Sequence, residues 1–431
     1  MNKPEVAFFW YRRDLRLEDN VALFYALESE YLVIPLFIFD EVILDGLPKN
    51  DARVGFIHDS LSNINQKLQE FGSSLLVKKG ITHAVWQALL KEFNVKEVFF
   101  NKDYEPYAIQ RDLAICELLE ANNISSFLYK DQVIFEELEI TKADGLPYTV
   151  YTPYKNKWLE KYQSMSPIQE FDTTSKVHNF HKYNFVFPTL NQIGFEESSL
   201  KVIPHNLKNV VNYHETRDFP ALDSTSHLSP HLRFGTVSIR KLVNWAANKN
   251  QVFLSELIWR EFFMQILFSF PKVVTHNFKS AYDGIQWRNN EEDFKRWCSG
   301  TTGYPMVDAG MRELNETGYM HNRVRMVVAS FLCKHLLINW QWGEAYFAEK
   351  LLDFDLSANV GNWQWAAGTG CDAAPYFRVF NPEIQLKKFD DKGIYIRKWI
   401  NEFDLGYGNP MVEHAFARDR AIATYKAGIS K

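Results

Sequence analysis

Hydrophobic and polar positions change their rhythm about one third of the way along the chain. The first part alternates short apolar runs with amphipathic stretches. Val6 to Tyr11, Leu32 to Phe39, Ser74 to Lys78, Glu97 to Asn101 and Ser125 to Tyr129 have strand length. The run from Leu32 to Phe39 is continuous, as expected of a strand covered on both faces. Between them, Asp19 to Glu28, Arg53 to Phe71, Thr82 to Phe93 and Tyr107 to Leu119 read as helices. Asp19 or Asn20 caps the first, and Gly72 ends the second. This alternation predicts a parallel sheet with helices on both faces. From Asp131 to Leu207 the pattern decays, punctuated by Pro147, Pro153, Pro167, Pro188 and Pro204, which predicts a long connection over the surface. Beyond it the period is helical, clearest over Leu254 to Phe270 and His321 to Trp340, with no strand run after Phe219. The chain therefore reads as α/β followed by all-α.

Composition narrows the class. The 431 residues are 46% hydrophobic and 23% charged, which is a globular profile with room for two cores. The net charge of -5 gives no global basic signal for nucleic acid, although a local groove depends only on the local field. Cys116, Cys298, Cys333 and Cys371 form neither a CxxC pair nor a zinc spacing, which excludes those metal and redox classes and fits a reducing, cytoplasmic setting. The N-terminus lacks a signal-peptide pattern, and no apolar run is long enough to span a membrane. There is no GxGxxG or Walker motif in the first part.

Candidate chemistry gathers in the second part. Asp353 to Arg378 packs carboxylates, amides, glycines and large aromatics into one stretch, as a wall around a flat, polar-edged ligand would. Trp363 and Trp365, two apart on a helix, point roughly 200° apart and serve different neighbours. Glu256, Trp259 and Arg260 share a helix face, as do Asn322, Arg325 and Met326, on helices otherwise too apolar for the surface. Thr225-Ser226-His227-Leu228-Ser229 offers hydroxyls and amides ahead of a helix, suited to a cap or a phosphate. Arg233, Arg240, Arg260, Arg323, Arg378, Lys387, Lys388, Arg397 and Lys398, interleaved with Trp and Tyr, suit a surface that holds phosphates and stacks bases. Trp297, Trp340 and Trp363, taken singly, read as core.

Together these motifs resemble the photolyase and cryptochrome family. The resemblance is carried by Trp10 to Asn20, Thr225 to Ser229, Glu256 to Phe262, Thr302 to Ala309, Gly318 to Met326 and Asp353 to Pro382, and it spans essentially the whole chain. It implies a Rossmann-like parallel-sheet domain over residues 1–130, a linker over 131–205, and a helical FAD-binding domain over 206–431. It implies that Tyr213 and Thr225 to Ser229 hold the FAD phosphates and ribityl chain. Asp353 and Asp355 would face the flavin, with Arg325 paired to Asp353 and Asn359 beside flavin N5. Trp297, Trp340 and Trp363 would relay electrons from the surface, Trp363 being nearest the cofactor. Glu256, Trp259, Asn322, Met326 and Trp365 resemble the lesion-facing set of microbial, class I enzymes that repair cyclobutane pyrimidine dimers. Histidines would stand at Asn322 and Met326 in the (6-4) enzymes. Arg217, Arg323 and Arg378 are candidates for the lesion strand. The implied activity is light-driven dimer repair in DNA by an electron from photoexcited reduced FAD, by a monomer needing no protein partner. The alternative is a blue-light sensor of the cryptochrome type. One departure concerns the antenna. Where folate-binding relatives carry an Asn-Glu pair, this chain has Tyr107-Ala108, so the resemblance leaves the antenna chromophore open.

Overall fold

The computed structural model describes residues 3–429, which fall into two compact units. The first comprises Met1–Glu139, Glu160–Pro204 and His227–Asn248. Its centre is a five-stranded parallel sheet in the order β3-β2-β1-β4-β5, with β1 Glu5–Tyr11, β2 Leu32–Asp40, β3 Leu76–Gly80, β4 Asn94–Asn101 and β5 Ser125–Tyr129. Every residue of β2 after Leu32 is buried, as its unbroken apolar run requires. Helices α1 Val21–Ala26, α2 Ala52–Glu70, α3 Thr82–Glu92 and α4 Pro106–Ala121 fall between the strands. Asn20 caps α1 by accepting from Leu23 N–H, and Gly72 follows α2 at φ +75°, a conformation that favours glycine.

Buried ion pairs tie distant segments of this unit together. Asp131, 1% exposed, receives Arg16 Nη2 at 2.7 Å and Arg240 Nη2 at 2.8 Å. Asp19 receives Arg240 Nε at 3.0 Å and the Phe171 amide at 2.8 Å. Gly235 (φ +65°) lies so close to Arg13 that a Cβ there would fall 2.1 Å from the Arg13 carbonyl oxygen. Arg240 is thus an internal tie, and Arg233 pairs with Glu105. Neither belongs to a basic face of the helical part, where its sequence position had put it.

The second unit comprises Ile140–Leu159, His205–Ser226 and Lys249–Lys431. Among the described residues its regular elements are all helical. Those that matter for the site are α5 Tyr151–Met165, α6 Gln251–Ser269, α7 Asn322–Ser330, α8 Trp340–Lys350 and α9 Leu356–Ala367. Its core gathers Trp297, Val324, Val328, Leu332, Trp340 and Trp363.

Two elements differ from the sequence expectation. The proline-punctuated connection contains α5, which Tyr151, Tyr154 and Trp158 anchor by burial. Pro153 stands in its first turn, where a proline is tolerated. The predicted helix from His321 to Trp340 is two helices. The first passes through a π turn over Phe331–His335, and Leu337 turns at φ +51°. Asn339 then caps α8 by accepting from Gln341 N–H at 3.1 Å. The apolar run Leu336-Leu337-Ile338 masks this break, because burial of the turn keeps the pattern hydrophobic.

Replacing Asp131 with Asn leaves two buried guanidinium groups short of charge and should destabilise the protein by about 3–5 kcal/mol in urea unfolding. Burial raises the Asp131 carboxyl, but Arg16 and Arg240 outweigh it and hold the carboxyl below its ordinary value. The stabilisation is therefore complete above the unfolded carboxylate value, near 3.9, and is lost as pH falls through the lower folded value. The gap between wild type and variant should be constant at neutral pH and shrink below about pH 4; a gap that widens on acidification would contradict this assignment.

Candidate active site

Residues of α7, α8 and α9 surround a cleft of about 610 Å³, part of it open to solvent. Its lining includes Asn322, Arg325 and Met326 from α7, Asp353 and Asp355 before α9, and Asn359, Trp363 and Trp365 on α9. Eight candidate residues from two separate stretches thus share one cavity.

The polar part is held firmly. Arg325 donates Nη2 to Asp353 Oδ2 at 2.9 Å and Nε to the Met320 carbonyl at 2.7 Å. Burial works against the guanidinium charge, and Asp353 more than restores it. Asp355 caps α9, accepting from Ala358 N–H at 3.2 Å. Asn359 gives both amide hydrogens to Glu344, at 3.0 Å to its carbonyl and 2.8 Å to its carboxylate. What Asn359 can offer a ligand is therefore its carbonyl oxygen, an acceptor. Glu344 went unnoticed in the sequence; its place one helix earlier, fifteen residues away, carries no local signal.

The aromatic part depends on two glycines. A Cβ on Gly343 would fall 2.1 Å from the Trp363 ring, and one on Gly361 would fall 2.2 Å from the Phe263 ring. The Trp363 ring can therefore pack directly against α8, and α9 can approach α6. Trp259 on α6 is half-buried, its ring stacked on Tyr151 with centroids 3.6 Å apart and planes 9° apart. Tyr151 in turn donates its hydroxyl to the Ser255 carbonyl at 2.7 Å. Tyr151 comes from the connection that sequence reading left without structure, so it too was missed.

Of the three tryptophans, Trp363 and Trp297 are in contact, with ring centres 6.1 Å apart. Trp340 opens α8 and donates its indole N–H to Asn277 at 2.9 Å. Their exposures are 2%, 0% and 2% for Trp363, Trp297 and Trp340, so none reaches solvent itself. Half-buried Trp287, Trp342 and Tyr346 pack against the same cluster, Tyr346 lying 5.7 Å from Trp297. The spacing of Trp342 and Tyr346, four apart on one helix, was the available signal.

The remaining candidates lie elsewhere. Glu256, 31% exposed in its side chain, pairs with Arg217 at 2.5 Å and is not among the residues lining the cleft. Tyr213 meets Phe253 edge to face, with centroids 5.4 Å apart. Arg323 pairs with Asp218 at 2.7 Å, and Arg378 is exposed. Thr225 and Ser226 fall in the second unit, where the Thr225 hydroxyl lies 3.3 Å from that of Tyr319. His227, Leu228 and Ser229 fall in the first, with His227 at φ +53° and Ser229 opening a short helix. Tyr107 donates to Asp40 at 2.6 Å, and Ala108 is buried.

Residues 7–174 match the family described as DNA photolyase, and residues 253–405 match the FAD binding domain of DNA photolyase. The deoxyribodipyrimidine photo-lyase of Agrobacterium fabrum is 34% identical, over 99% of this chain and 98% of that protein. This chain belongs to the DNA photolyase family. Among solved structures, a bacterial class III photolyase from Agrobacterium tumefaciens superposes with a TM-score of 0.89 at 33% identity, covering 100% of this chain and 99% of that one. A Synechocystis cryptochrome gives 0.85 at 25% identity, covering 98% and 100%. A class III structure so similar over its whole length means that these likenesses do not single out class I, the group the sequence resemblance implied. Within the photolyase family the second matched region, 253–405, contains the whole cleft. No helix among the described residues is long and apolar enough to cross a membrane.

Replacing Gly343 with Ala should displace the Trp363 ring. We expect destabilisation of about 1–3 kcal/mol from overpacking and a shifted tryptophan emission spectrum. An unchanged unfolding midpoint and spectrum would show that Trp363 has room to spare.

Proposed function

We propose that this chain is a deoxyribodipyrimidine photo-lyase, which uses light to reverse cyclobutane pyrimidine dimers in DNA. The observation that carries the reading is that one cleft joins a polar group suited to a flavin with the residues expected to meet a lesion. Arg325, Asp353, Asp355 and Asn359 make up the first, and Asn322, Met326 and Trp365 the second. The relative named deoxyribodipyrimidine photo-lyase, aligned almost end to end, supports it.

The donor set fits FAD. A flavin ring is planar, apolar on its faces and polar along its edge, and here a half-buried ion pair, a helix-capping carboxylate and an amide acceptor lie beside Trp363. Arg325 and Asp353 would hold the ring edge, and Asn359, fixed by Glu344, would present its carbonyl to a ring N–H. Tyr213 and Thr225 to Ser229 would serve the phosphates and ribityl chain. Bound and reduced, FAD supplies on illumination the electron that opens the dimer's cyclobutane ring. The chain's own part is to seat the dimer. Trp259, steadied by Tyr151, and Trp365 would wall its faces. Glu256 would accept a hydrogen bond from a pyrimidine edge, and Met326 would offer a soft, polarizable contact. To reach such a cleft the dimer must leave the duplex, as the handled base does in photolyases and other base-flipping enzymes. Arg217, Arg323 and Arg378 would hold phosphates of that strand. Trp363 and Trp297, in contact, would pass an electron inward, with Trp340 a third member of the path.

The likeness to a cryptochrome keeps a sensor as the second reading. Under that reading the lesion-side residues would have no dimer to hold.

The test is repair of a synthetic strand with one thymine dimer by purified, flavin-reduced protein. Intact thymine absorbance should return under blue light and not in the dark; no return by protein that binds flavin and photoreduces it would favour the sensor. Trp363→Phe should block photoreduction of oxidised flavin and leave repair by chemically reduced protein nearly intact; equal loss of both would sink the relay. Glu256→Ala should lower repair per bound dimer more than dimer affinity. The reverse pattern would make Glu256 a binding residue alone.

A further inference from the structure

Four charged side chains beside Met326 alternate in sign. Arg217 Nη1 lies 2.5 Å from Glu256 Oε1, Arg217 Nε lies 3.9 Å from Asp218 Oδ1, and Arg323 Nη2 lies 2.7 Å from the same Asp218 oxygen. The Arg323 guanidinium carbon also sits 4.3 Å from the centre of the Phe389 ring, and Nη1 is 3.6 Å from Met326 Sδ. Arg323 is thus fixed from below by an aromatic face and from the side by Asp218. Side-chain exposure is 17% for Arg323, 27% for Arg217, 31% for Glu256 and 38% for Asp218. Asp218 is the most open member and the one an approaching phosphate meets most easily.

This arrangement bears on how the protein treats DNA without damage. Binding to an undamaged duplex draws almost wholly on phosphates neutralised by free cations. A guanidinium already matched by an internal carboxylate contributes little to it. A flipped dimer brings more, because stacking and burial in the cleft supply free energy that can exchange the internal carboxylate for a phosphate. We propose that Asp218 is a specificity-determining residue. It holds Arg323 in an internal ion pair, so that undamaged DNA is bound weakly while dimer-containing DNA, which alone engages the cleft, still recruits the arginine. The inference rests on the repair reading of the same cleft. Asp218 acts through Arg323 and is a positioning residue, not a catalytic one.

The experiment compares wild type, Asp218→Asn and Asp218→Glu as full-length, flavin-loaded proteins. Each is titrated in the dark against an undamaged duplex and the same duplex with one thymine dimer, over a salt series, by fluorescence anisotropy. Asp218→Asn should bind the undamaged duplex about two- to fivefold tighter at low salt, the span that a partly exposed ion pair is worth. Its log-log salt dependence should steepen by about 0.9, the mark of one more phosphate neutralised. Affinity for the dimer duplex should rise less, so the preference falls, and Asp218→Glu should behave as wild type. Equal tightening on both duplexes would reduce Asp218 to a general charge effect, and no tightening on the undamaged duplex would remove its role; either overturns the proposal. A wild type that shows no preference for the dimer duplex sinks the repair reading and this proposal with it. A wild type that prefers the dimer, with a variant that keeps the same preference, sinks this proposal alone.

Discussion

A partly buried guanidinium needs a partner close by, and in the helical unit Arg325 has one in Asp353 at 2.9 Å. Each partner holds the other in place, so the pair helps to fix how α7 meets the segment before α9. Met320 strengthens the constraint by taking the Nε proton at 2.7 Å. Both members of the pair line the cleft. Two residues later Asp355 caps α9, which sets where the helix starts and therefore which of its residues face the cavity.

The aromatic part follows from the same geometry. Once α9 is placed, Trp363 must lie against α8 and Gly361 against Phe263, and only glycine at 343 and 361 leaves the space. Asn359 lies one turn into α9, where Glu344 takes both its amide hydrogens and decides which atom it can present. The cleft thus combines a fixed charge pair, a fixed acceptor and packed indoles. Groups held by fixed partners in this way can take a planar ring without a large ordering penalty. The sheet-containing unit is held by separate means, a buried network in which Asp131 and Asp19 bind Arg16 and Arg240.

Much of this was legible in the residues. All five strands and the helices α1 to α4 lie close to where the alternation of apolar and polar runs placed them, because a doubly covered sheet writes its burial directly into sequence, while a further short helix, Glu41–Leu44, was not expected. The second part was correctly read as helical. Within the site, residues on one helix face, such as Asn322 and Met326, or in one compact stretch, such as Asp353 to Trp365, were found because local spacing reports them. What escaped came from afar. Tyr151 reaches Trp259 from a proline-rich connection, Glu344 reaches Asn359 from the preceding helix, and Asp218 reaches Arg323 over more than a hundred residues. No period marks such pairs. Burial also misled, since Leu336 to Ile338 stay apolar through the turn that separates two helices.

Equilibrium binding of FAD to the flavin-stripped chain and to its Asp353→Asn variant tests whether the Arg325–Asp353 cleft is the flavin seat. One FAD should bind per chain with quenching of tryptophan emission from the neighbourhood of Trp363, and a variant that keeps its helical circular dichroism should show a marked loss of affinity. Undiminished FAD binding by the folded variant, or binding that leaves the tryptophan emission untouched, would place the flavin elsewhere.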